Sequence, residues 1–134
     1  MRCRTQISAL LQEEARLMEI VKLIGADVLP DDQKLIIETA KVIRVGFLQQ
    51  NAFHKDDTYV SLQKQFGMMR AILRLHSRAN DAISAGLPLS KITATGLFDK
   101  LTRMKYDIPN DNLALLDDLR HEIDNVVHSL RAEN

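Results

Sequence analysis

The residues of this sequence able to ligate a metal or move a proton are four histidines, one cysteine and eighteen carboxylates, and their spacing limits what they can do. His54, Asp56 and Asp57 form an acid-and-histidine cluster within a short polar stretch. A metal needs deprotonated ligands converging at fixed geometry and held by a second layer of contacts, which a short loop rarely supplies, so a solvated loop is the expectation. His121 and His128 lie on one helical face but two turns apart, which suits an exposed or partly buried pair better than a ligand pair. Cys3 has no second cysteine, so neither an internal disulfide nor a thiolate cluster can form. There is no His-Glu-x-x-His helix and no Gly-x-Ser-x-Gly elbow. None of the five glycines is followed by lysine, so the chain lacks the phosphate-cradling loop with which P-loop enzymes hold a triphosphate. The expectation is a chain with no catalytic residue, metal site or cofactor of its own.

The elements that would position any site are helical. At 46% hydrophobic and 27% charged residues, 134 residues suffice for one domain with a real core, taken as 1–134. Lysine plus arginine balances aspartate plus glutamate at 18 each, so no net field draws the chain to nucleic acid or an anionic membrane. Apolar runs such as Leu35-Ile36-Ile37 fall far short of the ~20 residues that cross a bilayer. The first residues do not resemble a secretory signal, which points to a cytoplasmic setting without membrane insertion.

Apolar residues recur at threes and fours, and β-type alternation is nearly absent, which predicts an all-α bundle of about five helices beginning with a helix–turn–helix hairpin. Ile7, Leu10, Leu11, Leu17, Met18, Val21 and Ile24 mark a first helix over about 6–24, and Gly25 reads as its left-handed cap. Pro30, Asp31 and Asp32 suit the first turn of a second helix, whose stripe of Ile36, Ala40, Ile43 and Phe47 carries it to about Gln49. Residues 51–60 read as a loop, and Ser61 as the cap of a third helix with Leu62, Phe66, Met69, Leu73, His76 and Ile83 inward. Gly86 and Pro88 end that helix. Ser90 would cap a broken segment through about Lys105, interrupted near Gly96, and a last helix runs from about Asp111 to Arg131. Met68, Met69 and Met104 read as core filler rather than an adaptable binding face.

Three stretches together resemble the C-terminal region of the catalytic alpha chain (the A subunit) of V-type and archaeal-type ATPases: Leu11-Gln12-Glu13-Glu14-Ala15, the more specific Phe47-Leu48-Gln49-Gln50-Asn51-Ala52-Phe53, and Arg103-Met104-Lys105-Tyr106. Ile20 to Gly25 and Asp57-Thr58-Tyr59 fit the same family in order and spacing. The F-type β subunit offers a more distant parallel, with a helix, a glycine, an acidic DELSEED tip, a second helix and an FLSQPF segment. Aligned from Gly25, that tip falls on Asp27 to Gln33, where only Asp27, Asp31 and Asp32 are acidic and Pro30 stiffens the turn.

The resemblance implies a C-terminal helical domain of a larger subunit whose phosphate-binding loop and catalytic acid belong to a preceding nucleotide-binding domain. The chain alone would then be catalytically silent, whereas the whole subunit would use ATP and Mg to drive proton or sodium transport, or to make ATP. The implied partners are the central-stalk subunits together with the B subunit, in a location peripheral to the membrane. It further implies that Phe53 walls the adenine, with Gln50 nearby, against the plainer alternative of domain packing. The hairpin tip, Asp27, Val28, Leu29, Pro30, Asp31 and Asp32, would touch the rotating shaft, against the alternative of a solvated turn whose aspartates cap a helix. Composition and periodicity alone also allow a free-standing helical adaptor that binds a partner helix. The 47–53 segment separates the two, because an adaptor has no need of an aromatic loop with adjacent amides.

Overall fold

The computed structural model describes residues 2–48 and 61–133 and, for Phe47 and Leu48, the backbone alone. The described residues contain helices α1 (Arg2–Ile24), α2 (Asp31–Val42), α3 (Leu62–Ser84), α4 (Leu89–Thr93), α5 (Leu97–Asp107) and α6 (Ala114–Glu133), and no strand. All but the five-residue α4 are longer than two turns, so the all-α bundle is as the periodicity predicts. α1 and α2 form the opening hairpin through a short 3-10 turn, Ala26–Val28. Beyond Val42 the second helix widens into a π turn over Ile43–Leu48.

α3 lies at the centre, packed most extensively on α6 and also on α2 and α1. Ser61 caps it as expected, its hydroxyl accepting the Lys64 N–H at 3.1 Å. Of the residues expected inward Met69 is buried, but the buried face is centred on Met68, Ile72, Leu75, Ala79 and Ala82. Phe66, Leu73, His76 and Ile83 are half-buried at the margin, and Leu62 is exposed. The offset has a physical cause: Ala71, Ala79 and Ala82 are fully buried, and alanine adds little to a hydrophobic pattern. Met68, Met69 and Met104 are core residues, as expected. Fully burying an apolar side chain such as Ile72, Leu101 or Ile123 contributes about 1.5–3 kcal/mol against leaving it in water.

Three boundaries differ from expectation. α4 begins after Pro88, and Ser90 lies inside the helix with its carbonyl accepting the Thr93 hydroxyl, so Ser90 is not the cap. The acceptor at that helix start comes instead from across the fold, from Asp31. α6 starts at Ala114 rather than Asp111, because the Asn112 N–H turns back to the Pro109 carbonyl at 3.2 Å. In α1, Ile7 and Leu17 are buried, yet Ile24 is exposed rather than inward. α5 begins after Gly96, where the interruption was expected.

Candidate functional site

α2 connects two unlike ends. At its N-terminal end is the hairpin tip. The Gly25 N–H closes α1 on the Val21 carbonyl at 2.9 Å, and Gly25 then leaves the helix with φ 89° and ψ 157°. The positive φ fits the expected glycine cap, but the extended ψ places it outside the left-handed helical well, in a region essentially reserved for glycine. The 3-10 turn follows, closed by the Leu29 N–H on the Ala26 carbonyl at 3.1 Å. Pro30 occupies the N-cap of α2, one position earlier than the expected first turn, with Asp31 and Asp32 next to the positive end of the helix dipole.

The six tip residues divide between two faces. Leu29 is 6% exposed and packs inward, and Asp31 is half-buried. The Asp31 carboxylate accepts the Leu89 N–H at 2.9 Å, so one side chain braces the tip and satisfies an orphan donor of α4. Asp27, Val28, Pro30 and Asp32 are exposed. Beside them the last turn of α1 adds Leu23, 85% exposed, and Ile24, 62% exposed. The exposed residues at and beside the tip thus include the apolar Leu23, Ile24 and Val28 and the acidic Asp27 and Asp32. Sequence reading missed Leu23 and Ile24 as tip residues. The available signal was Leu23, an apolar side chain off the inward stripe beside a glycine stop.

At the other end of α2, the π turn lies against α5. A β-carbon at Gly46 would meet the Thr102 Cα and carbonyl oxygen at 2.8 Å, so only glycine permits this backbone approach. On the far side of residues 49–60, Lys64 is 4% exposed and donates from Nζ to the Lys105 carbonyl at 2.7 Å. That carbonyl belongs to the last turn of α5, where a cation meets the negative end of the helix dipole. The chain thus enters and leaves residues 49–60 at points fixed on α5. Phe53, Gln50, His54, Asp56 and Asp57 lie outside the described residues, as does the side chain of Phe47. His121 and His128 are both exposed.

Between the two ends, α2 is fastened to α3. Thr39 is 2% exposed, and its Oγ1 lies 2.9 Å from Nδ1 of His76. Burial pushes the His76 imidazole below its ordinary pKa, keeping the ring neutral. The exposed ion pair of Arg44 with Glu14, at 3.0 Å, ties the π turn back to α1.

The described residues thus contain a helical hairpin whose tip is held by Leu29 and Asp31 and whose second helix ends in a glycine-dependent contact with α5. Residues 1–93 match the model of the C-terminal domain of V and A type ATP synthase, and the chain belongs to that family. It is 49% identical over 111 residues to V-type ATP synthase alpha chain 2 of Clostridium tetani, covering 83% of this chain and 19% of that one. It is 43% identical over 127 residues to the V-type ATP synthase alpha chain of Halothermothrix orenii, covering 95% of this chain and 22% of that one. To the V-type ATP synthase alpha chain of a Thermoanaerobacter species it is 40% identical over 127 residues, covering 95% of this chain and 21% of that one. The chain spans about a fifth of the length of these relatives. Among the described residues no helix is long and apolar enough to cross a membrane.

Proposed function

We propose that this chain is the lever domain of the alpha chain of a rotary V/A-type ATP synthase, closing on nucleotide at one end of α2 and pushing the central shaft with the other. The observation that carries the reading is the tip itself: Leu23, Ile24 and Val28 are offered to solvent while Leu29 and Asp31 hold the turn rigid from behind. An apolar surface on a braced turn suits a contact that must bear load. Such a contact transmits force by shape, since exposed ion pairs contribute only ~0–1 kcal/mol each.

In this reading Phe53 stacks on the adenine and Gln50 lies beside it, in a pocket completed by a nucleotide-binding domain that holds ATP and Mg. The anchoring of both flanks of residues 49–60 on α5 supports it, because movement of that segment on nucleotide binding would carry α5, α2 and the tip along. Differential affinity for ATP and for products then biases the domain between two orientations. The partners are the central stalk together with the B subunit, the complex exchanges ATP turnover for proton or sodium transport, and the domain sits peripheral to the membrane. The isolated chain hydrolyses no ATP.

The test uses the whole alpha chain assembled with its partner subunits. Phe53→Ala should weaken nucleotide binding by about 1–3 kcal/mol, the range for loss of a base-stacking aromatic. Leu23→Ser with Val28→Ser should leave nucleotide binding intact and lower the torque seen in single-molecule rotation. Normal torque from the tip variant, or unchanged nucleotide affinity after Phe53→Ala, would remove the corresponding half of the reading.

A further inference from the structure

Five of the ten arginines of this electrically neutral chain meet along one seam between α3 and α6. Gly67 lies against Leu116 and Arg78 reaches Asp124, so the two helices run side by side in the same direction. Arg70, Arg74 and Arg78 follow at i, i+4 and i+8 on α3, which places them in one row. Arg120 and Arg131 face them from α6.

The seam contains two surface cavities. One, about 430 Å³, is lined by Phe66, Arg70, Leu116 and Arg120. The other, about 550 Å³, is lined by Arg78, Val127, His128 and Arg131. Between them the Asp124 carboxylate is shared by Arg78 at 3.0 Å and Arg74 at 3.5 Å. Asp117 pairs with Arg120. Arg70 and Arg131 have no ion-pair partner among the described residues, and both are exposed. The seam has no lysine, and a guanidinium fork fits a planar carboxylate or a phosphate better than an ammonium does.

The acids within the seam decide between those two anions. A nucleic acid or an anionic lipid surface presents continuous negative charge, which Asp117, Asp124 and the exposed Asp81 would oppose along the same row. A helix can instead place single carboxylates opposite Arg70 and Arg131 and neutral side chains opposite the aspartates. Asp117 to Arg131 spans roughly 21 Å at about 1.5 Å per residue, the length of about four helical turns.

We propose that the α3–α6 seam docks an acidic amphipathic helix of a partner protein. Its carboxylates pair with Arg70 and Arg131, and its apolar side chains enter the cavity floored by Phe66 and Leu116. The surface lies on α3 and α6, apart from the hairpin tip, so docking there is independent of the tip contact in the lever reading.

The test measures binding of this chain to a fluorescent synthetic helical peptide of about fifteen residues, with one glutamate near each end about three turns apart, neutral polar residues between them and leucines on the same face. Controls are a scrambled peptide of equal charge, a single-stranded oligodeoxynucleotide and phosphatidylserine vesicles. The helical peptide should bind best, weaken with salt, and lose about tenfold in affinity to the R70Q/R131Q variant. Since both arginines are exposed and outside the core, circular dichroism should show that variant folded. A charge swap, R70E/R131E with lysines replacing the peptide glutamates, should restore binding. Equal binding of the scrambled peptide, an unaffected R70Q/R131Q variant, absent rescue or no peptide binding would overturn the proposal. Tighter binding of oligonucleotide or vesicles would replace it with a general polyanion site.

Discussion

The two ends of α2 solve opposite problems with different materials. The C-terminal end is joined to the bundle by backbone: Gly46 lies on the Thr102 main chain, and the neighbouring α5 terminus is closed by the buried Lys64. The N-terminal end is held by side chains: Leu29 packs inward and Asp31 bonds the Leu89 N–H, while the outer face remains in water. Backbone contact in a close-packed interior yields little, and a turn braced from behind by one carboxylate and one leucine is held too, yet its outer side chains can change without disturbing the core. The difference fixes the Gly46 end of α2 by main-chain contact and leaves the outer side chains of the tip in water.

The sharpest way to break this comparison is Gly46→Ala. Its β-carbon would lie 2.8 Å from main-chain atoms of Thr102, which cannot rotate away, so α2 and α5 must separate. Overpacking of this kind costs about 1–3 kcal/mol or more, read as a lower denaturation midpoint with an unchanged m-value. A neutral result would mean the junction is loose. Gly25→Ala comes next: nothing lies within 4 Å of its β-carbon, so its cost is backbone strain alone, about 1–3 kcal/mol at that φ. Asp31→Ala should cost less, about 0.5–2 kcal/mol, the range for loss of a helix-cap acceptor. Hydrogen exchange at Leu89 should quicken with it, while exchange in α5 stays as it was.

His76, midway between the ends, provides a pH test. Its folded-state pKa is depressed by burial, so between that value and the ordinary value of about 6.5 the unfolded chain binds more protons than the folded one. Stability should therefore be fully present above about pH 6.5 and fall as pH drops from there toward the folded-state value. Denaturation of the wild type and of His76→Gln at pH 7.5 and 5.5 should show the steeper loss in the wild type. Equal slopes would show that the ring is hydrated, and the fastening of α2 to α3 correspondingly weak.

The smallest effect is expected at the outer tip. Val28→Ser removes an apolar group that is already 59% exposed, so stability should shift by no more than about 0.5 kcal/mol. A large loss would mean that the tip residues support the fold rather than an outside contact.

Much of this architecture was legible in the residues. Five long helices, the hairpin, the Ser61 cap and the breaks at Gly86 and Gly96 follow from periodicity and local chemistry, which act over one or two turns. The 47–53 segment and its neighbours likewise pointed to the family to which the chain belongs. Residues far apart in sequence were another matter. Nothing near Leu89 announces that its N–H is capped by Asp31, and Ser90 was the reasonable local substitute. The inner face of α3 was legible at Met69 but otherwise offset, because its buried alanines add little to a hydrophobic pattern.

The same limit separates what sequence and tertiary structure each determined about charge. Equal numbers of acids and bases are fixed by the sequence, and from them follows the absence of a net field. The i, i+4, i+8 row of Arg70, Arg74 and Arg78 is also visible along the chain, as helical geometry alone requires. That Arg120 and Arg131 join this row was decided by the packing of α6 beside α3, which sums local charges into a surface field only when the chain is folded. Likewise, Leu23, Ile24, Val28 and Leu29 are four apolar residues in sequence, and only the turn at Gly25 and the packing behind it decide that the first three face water while Leu29 takes the inward place.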